Sequence, residues 1–410
     1  MSLREFTVFV ASLMAIVALT IDALLPAFGA IASELRVSDA NQVQLVVAAV
    51  FVGLSMGQLI SGPLSDSFGR KPILLAALII YFIGTLICFF ANSIELLWFG
   101  RWIQGLGAAG PNVAAISLVR DRYKGREMAR IMSLVMMIFM MVPALAPMLG
   151  QGLLFISDWR SIFILYFVYG LVSFAWVYFR LKESLPEEKR IPFRTSKIVA
   201  GFKEVLKNKR TTSLMISMGC VYGCLIAYIS SCQQIIQEQL GAGKMFSVYF
   251  GVLALLIGAS ALINSRLVER MGMHFLATLG LRNIIVSSAI FLTIQLFVDV
   301  KLWMFLLYAS TLFGSLGFIS SNLNAMAIEP MGHLAGIASA VIGASASLVS
   351  ITAGVVIGQA YDGTVLPITL GSLVLASLAW VLVTLSHRQA EVNSVGDSQK
   401  NNGHAAKLDV

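Results

Sequence analysis

Charge is scarce in this chain. Only 12% of its 410 residues are Asp, Glu, Lys or Arg, about half of the ~25% usual in a soluble globular domain. A water-soluble fold this apolar would expose patches that aggregate. Cysteine is equally sparse, with four residues. Cys88, Cys220, Cys224 and Cys232 all lie in apolar runs, so they read as small buried side chains and not as a disulfide framework. Cys220 and Cys224 share a helical face, but no histidine or acid clusters near them, so no metal site is expected. The four histidines, His274, His333, His387 and His404, are scattered. They offer no nucleophile–base constellation of the kind an enzyme needs. No glycine-rich run precedes Gly-Lys-Ser or Gly-Lys-Thr, which leaves ATP coupling without a phosphate loop. No cleavable leader is expected either, because the first apolar run is long enough to span a membrane.

What the chain has is hydrophobic length: 58% of its residues are apolar. A spanning helix needs about 20 mostly apolar residues. The runs are long and unbroken, whereas a barrel would alternate in short strands. Twelve spans are predicted, at 6–30, 44–64, 73–92, 96–118, 129–156, 160–180, 212–236, 246–266, 274–297, 302–326, 334–360 and 364–386. Most gaps are short. The exception, residues 181–211 ("LKESLPEEKRIPFRTSKIVAGFKEVLKNKRT"), is polar and basic at its end. It divides the chain into an N-terminal six-helix bundle over 1–180 and a C-terminal one over 212–386. The tail, 387–410, has almost no large apolar residues and is expected to be disordered.

Lys and Arg placement sets the orientation. With the N-terminus inside, 23 of the 29 basic residues fall in cytoplasmic segments, ten of them between Arg180 and Arg210. Both termini and the long loop are therefore expected in the cytoplasm. The net charge of +8 reads as a topology signal. Nucleic acid as a partner would need a folded basic face, and none is present.

The two halves share a motif. The loop after span 2 reads "GPLSDSFGRKP" and the loop after span 8 reads "SRLVERMGMHF". Aligned 203 positions apart, Leu64 meets Leu267, Asp66 meets Glu269 and Gly69 meets Gly272. Parallel repeats of a two-half transporter produce such a pattern.

With these residues in view, "GPLSDSFGRKPILL" resembles the cytoplasmic loop signature of the major facilitator superfamily. "LLWFGRWIQGLGAAG", 96–110, resembles its fourth-helix signature. "IDALLPAF" resembles the first-helix signature of its drug:proton antiporters, and "MVPALAPMLGQ", 141–151, their fifth-helix signature. "EPMGHLAGIASAVIG", 329–343, resembles the bicyclomycin- and chloramphenicol-resistance subgroup. The chain departs from these patterns at Ala146 and Gln151, where glycines are usual, and at Met14, where some relatives carry a second acid. The resemblance implies an all-α membrane protein of twelve helices in two pseudo-symmetric six-helix bundles, probing substrate from each side in turn. It implies a monomer in a bacterial cytoplasmic (inner) membrane that exports small amphipathic or drug-like molecules in exchange for protons. No cofactor is expected beyond the proton gradient, and the partners are substrate, protons and the bilayer. A dedicated exporter of one metabolite, such as a siderophore, is the alternative within transport. A membrane enzyme or receptor is the alternative outside it.

The resemblance also assigns residues. Gly62, Asp66, Gly69, Arg70, Asp121 and Glu269 form a conformational latch, with Arg70 pairing to Asp121. Asp66 is expected against the positive N-terminal end of the eleventh helix, near Leu334. Pro143, Pro147 and Gly150 bend the fifth, antiport helix. Helices 1, 4, 7 and 10 line the cavity and supply Asn112, Tyr222, Tyr228, Ser231, Asn322 and Asn324 as substrate contacts. Asp22 and Arg101 lie at similar depth with opposite sign. A charge near mid-bilayer costs at least ~2.5–3.5 kcal/mol, so it is rarely kept without a use or a partner. Two readings stand: a proton-coupling switch, or a fixed ion pair that orders helices 1 and 4.

Overall fold

Within a bilayer every backbone N–H and C=O must be satisfied inside the segment, so long apolar runs fold as helices. The computed structural model describes residues 1–191 and 195–405; side chains at 129, 189, 195, 197–199, 332–337 and 388–405 lie outside that description. Twelve long helices follow in order: α1 (Leu3–Asp22), α2 (Leu45–Phe68), α3 (Arg70–Phe89), α4 (Ile94–Arg122), α5 (Gly125–Leu154), α6 (Arg160–Arg180), α7 (Lys209–Cys232), α8 (Phe246–Met271), α9 (Met273–Phe297), α10 (Leu302–Ile328), α11 (Ala335–Gln359) and α12 (Leu366–Ala405). No strand occurs among the described residues. Eleven of these helices are long and apolar enough to cross a membrane. The twelfth, α4, carries Glu95, Arg101, Arg120, Asp121 and Arg122, and it is shielded differently. It lies between α2 and α3. A Cβ at Gly105 would strike the Val50 carbonyl of α2, and one at Gly107 the Tyr81 backbone of α3. Backbones this close enclose the face of α4 that carries Arg101, which is 0% exposed.

The packing repeats. Contacts α2–α4, α3–α4 and α3–α6 in the first half recur as α8–α10, α9–α10 and α9–α12 in the second. The halves meet along α5–α8 and α2–α11. The repeated glycine marks a repeated turn. Gly69 joins α2 to α3 with φ +102°, ψ 158°, and Gly272 joins α8 to α9 with φ +82°, ψ 153°. That backbone region is essentially reserved for glycine. Only Gly69 is in the turn itself; Gly62 and Asp66 belong to the last turns of α2, which runs to Phe68.

Four segments differ from the sequence expectation. The first span is broken: α1 stops at Asp22, a 3-10 turn covers Leu25–Ala27, and a short helix covers Phe28–Glu34. Pro26 has no N–H to offer the Asp22 carbonyl four residues back, which is the physical cause of the break. The seventh span continues past α7 as a π-helical stretch, Gln233–Gln239; such widened turns are rare and concentrate at functional sites. The linker is not all loop, since Thr195–Lys207 forms a helix. The tail expected to be disordered continues α12 as helix to Ala405. Extending an existing helix avoids the cost of nucleating one. Residues 406–410 lie outside the described residues.

Candidate functional site

The break in α1 builds the centre of the site. A helix end leaves its last carbonyls without intrahelical partners. Here the Thr20 carbonyl accepts from Arg101 Nη2 at 2.9 Å and from the Tyr166 hydroxyl at 3.1 Å. Arg101 Nη1 donates to Gln104 Oε1 at 2.7 Å, and Nε to the Val46 carbonyl at 3.4 Å. The Gln104 amide then donates to Thr85 Oγ1 at 2.8 Å, and the Thr20 hydroxyl pairs with the Tyr81 hydroxyl at 2.8 Å. The guanidinium is therefore compensated by the negative end of α1 and by an amide. It makes no ion pair with Asp22. Asp22 is 5% exposed, and among the described residues no hydrogen bond or ion pair reaches its carboxylate. The fixed ion pair left open by the sequence is not formed in this structure.

The break touches both halves: a Cβ at Gly29, in the short helix after it, would lie 3.1 Å from Glu238 Oε1 and 3.5 Å from Gln233 Nε2 of the second half. The fifth helix, α5, lies on the same break. Gly150 packs so tightly that a Cβ there would strike the Ala23 carbonyl. The next residue, Gln151, has its Oε1 buried with no hydrogen-bond partner among the described residues. The other side of α5 packs on α8, where a Cβ at Gly251 would come within 2.7 Å of the Ala144 carbonyl. Pro143 and Pro147 flank that contact within α5. One helix thus touches the break in the first half and the packing surface of the second.

Beyond Asp22, the halves are fastened by amides. Gln44 Nε2 donates to Gln234 Oε1 across the interface. Asn41 Nδ2 donates to the Tyr361 carbonyl at 2.8 Å and the Gln359 carbonyl at 3.3 Å. Gln359 Nε2 returns a bond to the Asn41 carbonyl at 2.7 Å. Among the described residues, every hydrogen bond between the two halves is at this end. Sequence reasoning missed this clamp. Its residues sit at span boundaries, where amides are indistinguishable from solvated helix ends.

At the opposite end lie the charges of the Gly69 turn. Arg70 pairs with Asp66 at 2.6 Å and Asp121 at 2.9 Å, and it donates to Ser65 Oγ at 3.1 Å. The Arg70–Asp121 pairing read from the resemblance is present. Asp66 faces Arg70 within its own half; the contact expected with the N-terminal end of α11, near Leu334, falls on residues 332–337, whose side chains lie outside the described ones. The acid that does cap a helix here is Glu183, from the linker. Glu183 Oε1 accepts from the Arg70 backbone N–H at 2.9 Å, and Oε2 from that of Lys71 at 3.1 Å. Its Oε1 also accepts from the N–H groups of Ser184 and Leu185 at 2.9 and 3.0 Å. Ser184 Oγ donates to Asp121 Oδ2 at 3.1 Å, and the Ile191 N–H donates to the Asp66 carbonyl at 3.1 Å. The start of α3 needs an acceptor, but the sequence does not reveal which of Glu183, Glu187 and Glu188 supplies it. Glu269, the repeat partner of Asp66, is exposed and has no ion pair among the described residues. Gly62 sits more loosely, with a Cβ position 4.0 Å from Val113 of α4.

The expected substrate contacts divide. Asn112 and Tyr222 are half-buried and Asn324 is exposed, while Ser231 is buried near the end of α7. Asn322 is occupied within the second half, donating to Asn264 Oδ1 of α8 at 2.8 Å and to the Phe318 carbonyl at 2.7 Å. Tyr228 is enclosed by Phe250, Phe305 and Phe313, with ring centroids 4.8–6.3 Å away. Its hydroxyl has no partner among the described residues.

Comparison with known proteins fits this architecture. The family model described as Major Facilitator Superfamily matches residues 9–354. The chain belongs to the major facilitator superfamily. A superfamily transporter of Bacillus subtilis (strain 168), YdgK, is 30% identical over 79% of this chain and 81% of its own. A bicyclomycin resistance protein homolog of Haemophilus influenzae is 29% identical over 89% and 92%. The multidrug resistance protein MdtL of Salmonella typhi is 25% identical over 79% and 80%. Among solved structures, a mutant of the nucleoside transporter NupG aligns with a TM-score of 0.72 at 12% identity, covering 94% of this chain and 99% of that one. The xylose transporter XylE of E. coli, partially occluded and inward-open, gives 0.69 at 12%, with 94% and 97% covered. As a superfamily member the chain is a multi-pass membrane transporter and not an enzyme, with relatives named for drug resistance.

Proposed function

We propose that this superfamily member exports small amphipathic or drug-like molecules from the bacterial cytoplasm in exchange for protons, working as a monomer driven by the proton gradient. The observation that carries the reading is Asp22: a buried acid at a helix break, with the neighbouring arginine already compensated by Thr20 and Gln104. An intramembrane acid without a fixed counter-charge can exchange a proton for a cationic or dipolar substrate group. Arg101 acts as the positioning residue that ties α1 to α4 at the level of the break.

The Lys and Arg bias puts both termini inside. The amide clamp then closes the outer end, and this conformation takes substrate from the cytoplasm. Outward opening requires the Asn41, Gln44 and Gln234 bonds to part while the inner ends close. The Arg70 group is the inner latch in that step. The antiport helix, which carries Pro143 and Pro147, seals the path beside Asp22 against proton leak. Asn112, Tyr222, Ser231 and Asn324 are the polar positions offered to substrate, and Tyr228 and Asn322 shape the wall behind them. The Haemophilus and Salmonella relatives, named for drug resistance, support drug-like molecules as the substrate class.

The test is Asp22→Asn in proteoliposomes under an imposed ΔpH. Proton-driven efflux and substrate-induced proton release should both be lost, while the protein stays folded and inserted. A variant that still concentrates substrate against its gradient would remove Asp22 from the coupling step.

A further inference from the structure

The linker helix Thr195–Lys207 has a surface that neither transport nor latching uses. It is held to the second half from one side. Val205 is 1% exposed, the helix packs on α11 and α7, and Thr212 Oγ1 of α7 donates to the Val205 carbonyl at 3.1 Å. The residues on either side of Val205 have a different fate. Phe202 is 39% exposed and Leu206 46%. Lys203 and Lys207 are exposed as well.

Helical geometry orders these residues. At about 100° per residue, Phe202 and Leu206 form one stripe, spanning roughly 40° of the helix circumference. Val205 lies about 60° to one side of that stripe, and Lys203 and Lys207 start about 60° to the other. Going round the helix, the surface therefore reads protein-facing, apolar and exposed, basic, and then Glu204 on the far side. A helix lying in the plane of a membrane surface has this order: apolar stripe toward acyl chains, lysines at headgroup level, remaining polar face to water. The chain path agrees. Asn208 caps α7 directly after the linker helix, its Oδ1 accepting from the Thr211 N–H at 3.0 Å. The helix therefore ends where a span begins.

We propose that the linker helix is an interfacial helix whose Phe202 and Leu206 enter the bilayer and whose Lys203 and Lys207 bind the headgroups of anionic phospholipids. The charge complement is specific to that partner. A basic residue near an anionic leaflet strengthens attachment by roughly fivefold, and a zwitterionic surface supplies no such gain. Attachment at this point fixes the linker to the bilayer on the second half's side, while Glu183 fixes its other end to the first half. The inference does not depend on the proton-coupling role of Asp22.

The test uses the full chain in two vesicle compositions, phosphatidylethanolamine with phosphatidylglycerol at three to one, or with phosphatidylcholine at the same ratio. Phe202→Cys carries a spin label. The four native cysteines are buried, so labelling is confined to that position. In phosphatidylglycerol vesicles the label should be relaxed by dissolved oxygen and shielded from a water-soluble nickel chelate. Replacing phosphatidylglycerol by phosphatidylcholine, or adding Lys203→Gln with Lys207→Gln, should move the label toward water by a similar amount. A label open to the chelate in both vesicles overturns the interfacial placement. A label equally deep in both, and indifferent to the lysine substitutions, overturns the anionic partner.

Discussion

The turns at Gly69 and Gly272 have nearly the same backbone and very different surroundings. Both glycines sit at φ near +90° between two spans of the same rank in their halves. Around Gly69, Arg70, Asp66, Asp121 and Glu183 form one bonded group. Around Gly272, Met273 follows the glycine and Glu269 is exposed. The two turns share a conformation that glycine alone permits, whereas among the described residues the network of ion pairs surrounds only the first. Backbone geometry is a local requirement. A charge network needs every partner at once and is lost as a unit.

The sharpest way to break this contrast is Arg70→Met, which gives the first turn the residue of the second. It strands Asp121, which is 13% exposed, and frees Asp66, which is 41% exposed. Removing one partner of a buried pair costs about 3–5 kcal/mol; the exposure of Asp66 puts the expected loss near the low end. Substrate counterflow should fall more than roughly tenfold, since ~1.4 kcal/mol is already a factor of ten. Retention of half the wild-type rate would make the ion pairs incidental.

Next is Gly69→Ala against Gly272→Ala. Both force alanine into a glycine-only region, at about 1–3 kcal/mol each. Only at Gly69 does the new Cβ also meet a neighbour, Glu183 Oε2 at 2.7 Å, while Gly272 has nothing within 4 Å. Gly69→Ala should lower the unfolding midpoint in detergent further than Gly272→Ala does. Equal midpoints would mean that the linker does not press on the first turn.

The smallest effects should come from the acids. Glu183→Gln removes a charge from the start of α3, worth about 0.3–1 kcal/mol at an exposed site, and should slow counterflow by about two- to fivefold. Glu269→Gln should stay within ~0.5 kcal/mol, as surface substitutions usually do. If Glu269→Gln is the more damaging, the second turn has a role in another conformation.

The sequence carried the helices, the division into halves and the repeated turn, because each follows from local composition and spacing. Arg70 and Asp121 could be paired from the resemblance alone. The partner of Arg101 could not. It is the Thr20 carbonyl, a group present in every residue, and it is free only because α1 ends nearby. Depth arithmetic set Asp22 and Arg101 at one level without revealing that the guanidinium turns to the helix end. Glu183 was hidden for another reason. It lies in a polar linker with four glutamates, and nothing short of the folded turn selects one of them. Asn322 and Tyr228 carry polar groups on a cavity helix, yet each faces a neighbour in its own half; a helix has more than one buried face, and periodicity does not say which is which.

The clamp of Asn41, Gln44, Gln234 and Gln359 consists wholly of uncharged amides. Amides neither titrate in the physiological range nor attract a screening atmosphere of ions. In the proposed orientation this closure faces surroundings whose acidity and salinity the cell does not control. The ionic group of Arg70, which salt and acid would weaken, faces the regulated interior. A bacterium moved between fresh and saline water would then find the outer closure of this transporter unchanged, with its strength set by hydrogen bonds that such shifts do not reach.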